Sequence, residues 1–281
     1  MKVTTVLGSC LISAYLGIMA PACHAAMTTI SSTNDGLIDQ HANFNTATVG
    51  VDSGYSHSHG PGAANQHIVV GRRADDYTNP DVGPSIMGIM KFDVSSLAGQ
   101  TITGVTLRLI QTADNPPPNR GGAVFAATTE VYGVNSGDYD ESTTTWQNYI
   151  GGVGNGALST YLTSGAISQL GTMTNVASPG GHGGPGGVSD FVDADLTALV
   201  QNWVNNSSTN LGLVLLNSAT LTGAPAAPAD VIARYAAHEN ATFAGPQLLI
   251  EYRAVPEPGT VGLSVLGLLM AFAARSRDRS A

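Results

Sequence analysis

Apolar and polar residues alternate over short stretches separated by turn formers, a pattern that predicts strands. The clearest run from Met87 to Val94, Val105 to Gln111, Glu130 to Val134, Val188 to Val192, Leu211 to Asn217, Val231 to Tyr235 and Gln247 to Arg253. In the first, Met90, Phe92 and Val94 share one face, and Ile89, Lys91 and Asp93 the other; in the second, Val105, Leu107 and Leu109 oppose Thr106, Arg108 and Ile110. Alternation of this kind implies one packed face and one at least partly wet. Helical spacing stands out once, at Leu196, Leu199, Val200, Trp203 and Val204, with Asp195 placed to cap the start and Asn205-Asn206 to end it. Segments 57–65, 113–122 and 178–187 are rich in Gly and Pro and predict surface loops. The elements together predict an all-β protein, a jelly-roll-like β-sandwich with one short helix.

The two ends break this pattern. Lys2 precedes a largely apolar stretch ending at Met19, and Cys23-His24-Ala25 presents small residues where a signal peptidase reads, so residues 1–25 read as a signal peptide cut after Ala25. Both cysteines, Cys10 and Cys23, fall in that segment, which leaves no disulfide or thiol chemistry after cleavage. At the other end Val255-Pro256-Glu257-Pro258 is followed by an apolar run from Val261 to Ala274, 14 residues long, and then by Arg275, Arg277 and Arg279. That run is shorter than the roughly 17–25 residues of a stable span, so contact of residues 261–274 with the inner membrane is expected to be transient. The arginines are expected to stay on the cytoplasmic side. The chain thus divides into a signal peptide (1–25), a β-sandwich body (26–254) and a tail (255–281); a split of the body near Pro116-Pro117-Pro118 is the alternative division.

The three parts of the tail, in this order, resemble the PEP-CTERM sorting signal of exopolysaccharide-making Gram-negative bacteria. The resemblance implies processing at Val255, Pro256, Glu257 and Pro258 by an exosortase, with delivery to the outer cell surface or the extracellular matrix.

The whole chain carries a formal charge of −9, and residues 26–258 hold seven Lys and Arg against nineteen Asp and Glu. Nucleic acid and anionic lipid are poor partners for such a surface. Abundant Asp on an exported body without cysteines fits calcium as a stabiliser, with plain solubility as the other explanation. Asn135, Asp138, Asp140 and Glu141 supply oxygen ligands within one turn-rich stretch, and Asp75, Asp76, Asn79 and Asp81 form a second set; neither has the full twelve-residue loop signature. His57-Ser58-His59, with His41 and His67 nearby, could set two imidazoles on one face of an extended segment as a transition-metal site requires, but these histidines, like His182 in its glycine run, read first as exposed loop residues.

Three body segments resemble the DNRLRE-type domains of bacterial and archaeal surface proteins: Ile89 to Thr112, Val131 to Asn148, and Asp193 to Asn217, followed by a closing strand ending at Tyr252. Within them Lys91-Phe92-Asp93-Val94-Ser95-Ser96-Leu97 and the spacing from Glu141 to Trp146 are the specific parts; the letter string that names the family is absent. The resemblance implies a jelly-roll-like sandwich used as a non-catalytic, carbohydrate-binding module. Read on its own, Trp146 ends a turn-rich acid and hydroxyl run and is expected to close one end of the core.

No nucleophile elbow, HExxH motif or phosphate loop occurs, and no catalytic pair is spelled out. For saccharide binding, Lys91, Arg108 and Arg234 sit on the polar parity of their strands, and would form one cationic patch suited to a uronate polymer if those strands were neighbours. Pairing with Asp93 and Asp230 is the competing expectation. Tyr77, Tyr139 and Tyr149 are the aromatic candidates beside turns. The function read from the chain is an exported, non-catalytic protein that binds or organises extracellular polysaccharide. The alternatives are a structural surface protein without glycan affinity, and a polysaccharide lyase or hydrolase with an unrecognised site.

Overall fold

Strand β4 (Gln100–Ile110) buries Val105, Leu107 and Leu109 and leaves Thr106, Arg108 and Ile110 half-exposed, as its alternation requires. The computed structural model describes residues 25–39, 67–72, 85–112, 124–125, 128–139, 144, 146–151, 155–175, 186–217 and 231–254, all within the compact unit Ala25–Ala254. The described residues are mostly strand, with few helices, in two facing layers of largely antiparallel sheet. This is the all-β sandwich class that the pattern predicts.

One strand belongs to both layers. In β1 (Ala25–Asp39), Ala25 to Ser31 pair antiparallel with β11 (Gln247–Ala254), whereas Ser32 to Asp39 pair with β3 (Ser85–Phe92) across a register shift between Ser32 and Asn34. Strands turn sandwich corners by such bulges. The first layer, sheet A, runs from the front half of β1 through β11 and β4 to β8 (Val188–Val192). At its end Ala25 lies opposite Arg253.

The second layer, sheet B, grows from β3. One edge of β3 takes the rear half of β1. The other takes β9 (Leu213–Leu216) at Gly88 to Met90, and β2 (His67–Arg72) at Ser85 and Ile86. Beyond β9 come β6 (Thr128–Val134) and β7 (Ile167–Thr174); beyond β2 come β10 (Val231–Ala236) and the short parallel β5 (Val124–Phe125).

The main core lies between the layers, where Met90, Phe92, Leu213 and Leu215 of sheet B meet Leu107, Leu109, Leu248 and Ile250 of sheet A. Helix α3 (Ala194–Asn205) adds Leu196, Val200 and a fully buried Trp203 to this core. Its cap is Asp193, whose carboxylate accepts the Asp195 N–H at 2.7 Å, two residues earlier than the sequence suggests. Asp195 stands in the first turn, where a negative charge favours the helix dipole.

A second core covers the opposite face of sheet B. Met87, Ile89, Val214 and Leu216 pack there against Ile150 of α1 (Trp146–Ile150) and against Leu158 and Tyr161 of α2 (Asn155–Thr163). This corrects two expectations. The described residues hold three α-helices where one was read, and β3 is buried on both faces from Ile86 to Met90, with only Lys91 among its interior positions half-exposed. The run Asn155 to Thr163 mixes Gly, Ser, Thr and Asn with few strong helix formers, so its helix rests on packing against the sheet. Buried on both faces, β9 reads Leu-Val-Leu-Leu without alternation. Trp146 opens α1, and the expectation for its indole falls outside the described residues.

Candidate functional site

The three cations that would form one patch if their strands were neighbours are separated by the topology. Lys91 lies on sheet B, Arg108 on sheet A, and Arg234 on β10, with β2 between it and β3. The partners of Lys91 and Arg108 also differ from those expected, while Asp230 lies outside the described residues. Lys91 Nζ meets Asp138 Oδ1 at 2.5 Å and sits 5.6 Å from the Tyr139 ring centre. Arg108 makes a two-pronged pair with Asp190, Nε to Oδ1 at 2.8 Å and Nη2 to Oδ2 at 2.6 Å. Arg234 is buried. Asp93, offered as a partner for these cations, instead accepts the Ser95 N–H at 2.9 Å ahead of the 3-10 turn Ser95–Leu97, and the Ser95 hydroxyl and N–H hold its carboxyl below the usual range.

Tyr139 is likewise an interior residue: it is buried in the second core and its hydroxyl donates to the Asn34 carbonyl at 2.5 Å. Tyr149 packs against the same core, its ring 5.7 Å from that of Tyr161. Of the calcium set, Asp138 is occupied by Lys91, and the Asn135 amide donates to Gly165 O and Ser168 Oγ at 3.0 and 2.8 Å. Tyr77, Asp140 and Glu141, the acids from Asp75 to Asp81, and the histidines at 41, 57, 59 and 182 lie outside the described residues.

Two features remain as candidate sites. The first is the outer face of sheet A, where Gly104 removes a side chain from β4 and opens a shallow groove of about 270 Å³. Met27 of β1, Leu249 and Glu251 of β11, Thr106 of β4 and Val192 of β8 surround it. Met27 is 67% exposed and Val192 71%, so apolar surface lies open beside Glu251. One ladder step away the same face carries Gln247 and the Arg108–Asp190 pair. Every strand here alternates, and among the described residues no helix covers this face, which leaves the polar parity available.

The second feature sits at the corner where β1 changes layers. Asp35 is 1% exposed, and its carboxylate accepts the Ser32 hydroxyl and the His238 N–H, the latter at 3.1 and 3.2 Å from its two oxygens. His238 opens the turn after β10; its Nδ1 lies 3.4 Å from Asp35 Oδ1 and its Nε2 2.6 Å from Glu239 Oε1. Asn240 Oδ1 accepts the N–H groups of Thr242 and Phe243, both at 2.9 Å, and so bends the chain back. Gly245 then passes so close that a Cβ there would stand 2.6 Å from His238 Cα. Sequence reasoning missed this cluster because Asp35 and His238 are far apart along the chain and only the tandem His238-Glu239 hints at it.

Residues 254–277 match the PEP-CTERM protein-sorting motif. The motif implies an exported protein, handled by an exosortase as it crosses the membrane and ending at the cell surface or outside the cell. A comparison with curated proteins finds no match for the chain. Among the described residues no helix is long and apolar enough to cross a membrane.

Proposed function

We propose that this exported protein reaches the outer surface or extracellular matrix and there binds or organises polysaccharide through the outer face of sheet A, without turning it over. The observation that carries the reading is the open groove at Gly104, which sets exposed apolar side chains beside Glu251, Thr106, Gln247 and the Arg108–Asp190 pair. Sugars present apolar faces and hydroxyl rims, and a shallow site of mixed character suits them. Because Arg108 is already matched by Asp190 and Glu251 adds negative charge, a neutral polymer fits this face better than a uronate. Glycoside hydrolysis by the usual route needs two carboxyl groups, and the groove lining supplies Glu251 alone. Similarity to DNRLRE-type domains and the sorting tail point the same way.

Native affinity electrophoresis of the full chain through gels of neutral glucan, alginate or host exopolysaccharide tests this. Retardation in one gel, lost on filling the groove with Gly104→Leu while the melting temperature holds, supports the site. No retardation in any gel would leave a structural surface protein, a reading favoured by the self-contained Arg108–Asp190 pair.

A further inference from the structure

We propose that the corner cluster of Asp35, His238 and Glu239 binds a divalent transition cation of the zinc type, held directly by Asp35 Oδ1 and His238 Nδ1, with Glu239 behind the ring. The three side chains bring their ligand atoms within 4.8 Å of one another, a grouping that joins β1 to the turn after β10. Two donor atoms each about 2.0–2.1 Å from a tetrahedral ion stand about 3.3–3.4 Å apart. His238 Nδ1 and Asp35 Oδ1 are 3.4 Å apart, longer than an ordinary N–H···O bond and matched to a shared ion.

The rest of the cluster prepares these two atoms. Glu239 Oε1, 2.6 Å from Nε2, accepts the ring proton there and turns the Nδ1 lone pair toward Asp35. A carboxylate behind a ligating imidazole fixes the tautomer and makes the ring a better donor to a metal. Asp35 is oriented by Ser32 and by the His238 N–H. A carboxylate so deeply buried calls for a positive partner, which a metal ion supplies. The His238 side chain is 26% exposed and that of Glu239 18%, whereas the two ligand atoms, Asp35 Oδ1 and His238 Nδ1, are themselves buried. One imidazole among so few ligands favours zinc-type ions over calcium, which takes six to eight oxygens.

Titration of the full chain with zinc chloride by calorimetry at pH 7.5 tests the site, with Asp35→Asn, His238→Gln and Glu239→Gln alongside. The expected result at pH 7.5 is a bound ion, a melting temperature raised by zinc and restored by chelator, and loss of that ion in His238→Gln. Glu239→Gln, at a side chain less deeply buried than Asp35, should keep the fold and weaken binding about tenfold or more. No binding by the natural chain, or the same affinity in Glu239→Gln, would overturn the proposal and leave the cluster as an ion-paired structural corner. If His238→Gln folds and binds zinc as before, the ion belongs to other histidines and the proposal also fails.

Discussion

Tyr235 donates its hydroxyl hydrogen to Asn175 Oδ1 at 2.6 Å, and this one contact sets the direction of a closed ring. The Asn175 amide donates to Thr129 Oγ1 at 3.0 Å, so the Thr129 hydroxyl must donate to Tyr235 at 2.7 Å. All three side chains are buried, and they tie together β6, the end of β7, and β10. Burial pushes the Tyr235 hydroxyl well above its ordinary pKa, so it remains a donor at any working pH. Tyr235→Phe leaves Asn175 Oδ1 and the Thr129 hydrogen facing a ring edge. The expected loss is about 1–3 kcal/mol of stability, read from the urea midpoint at unchanged slope.

His67 supplies an acid-sensitive element. Burial, helped by the Arg234 charge, lowers its pKa from 6.5 to about 4. The unfolded chain therefore takes up a proton that the folded one refuses. Its contribution is fully present above about pH 6.5 and is lost as pH falls toward 4. His67→Gln should show a smaller fall in urea midpoint between pH 7 and pH 4.5 than the natural chain, and an equal fall in both would refute the assignment.

Gly245→Ala should be costly although the position is a loop. Its Cβ would stand 2.6 Å from His238 Cα and 2.8 Å from His238 N, both backbone atoms that cannot step aside. The turn must open, and with it the N–H that His238 gives to Asp35. A loss on the order of 1–3 kcal/mol is expected, of the size that overpacking produces. Faster hydrogen exchange at the His238 amide would locate the damage.

Arg108 and Asp190 should behave oppositely, cheap to break despite good geometry. Both side chains are 35% exposed, and the bond to Asp190 raises the Arg108 pKa. Water screens such a pair, so a double-mutant cycle with Arg108→Ala and Asp190→Ala should give a coupling of about 0.2–1 kcal/mol that shrinks in salt.

The sequence pattern makes β4, β8 and β11 of sheet A legible because these strands have one wet face. The pattern predicts β8 with its observed bounds and β11 to within one residue, but it starts β4 five residues late. Sheet B was read less well. Strands β1, β2, β5 and β7 escaped, β1 because Ser, Thr, Asn, Asp and Gly fill the stretch where it bends between layers. Helices α1 and α2 exist for the tertiary surface they cover and carry little periodicity of their own. The candidate cations could be named but not placed, since strand order decides whether Lys91 and Arg108 meet, and no local pattern encodes it. Asp35 and His238 were invisible for the same reason, joined only by the corner of the fold.

Ala25 facing Arg253 makes the sandwich a purse whose drawstring is its own two ends. The first strand to emerge on the far side of the membrane can find its sheet A partner only when the last has followed, immediately ahead of the matched sorting segment that begins at Ala254. Completion of that layer is thus a terminal event of export, since no earlier strand substitutes for β11 beside Ala25 to Ser31. A chain stalled midway would trail an unclosed edge.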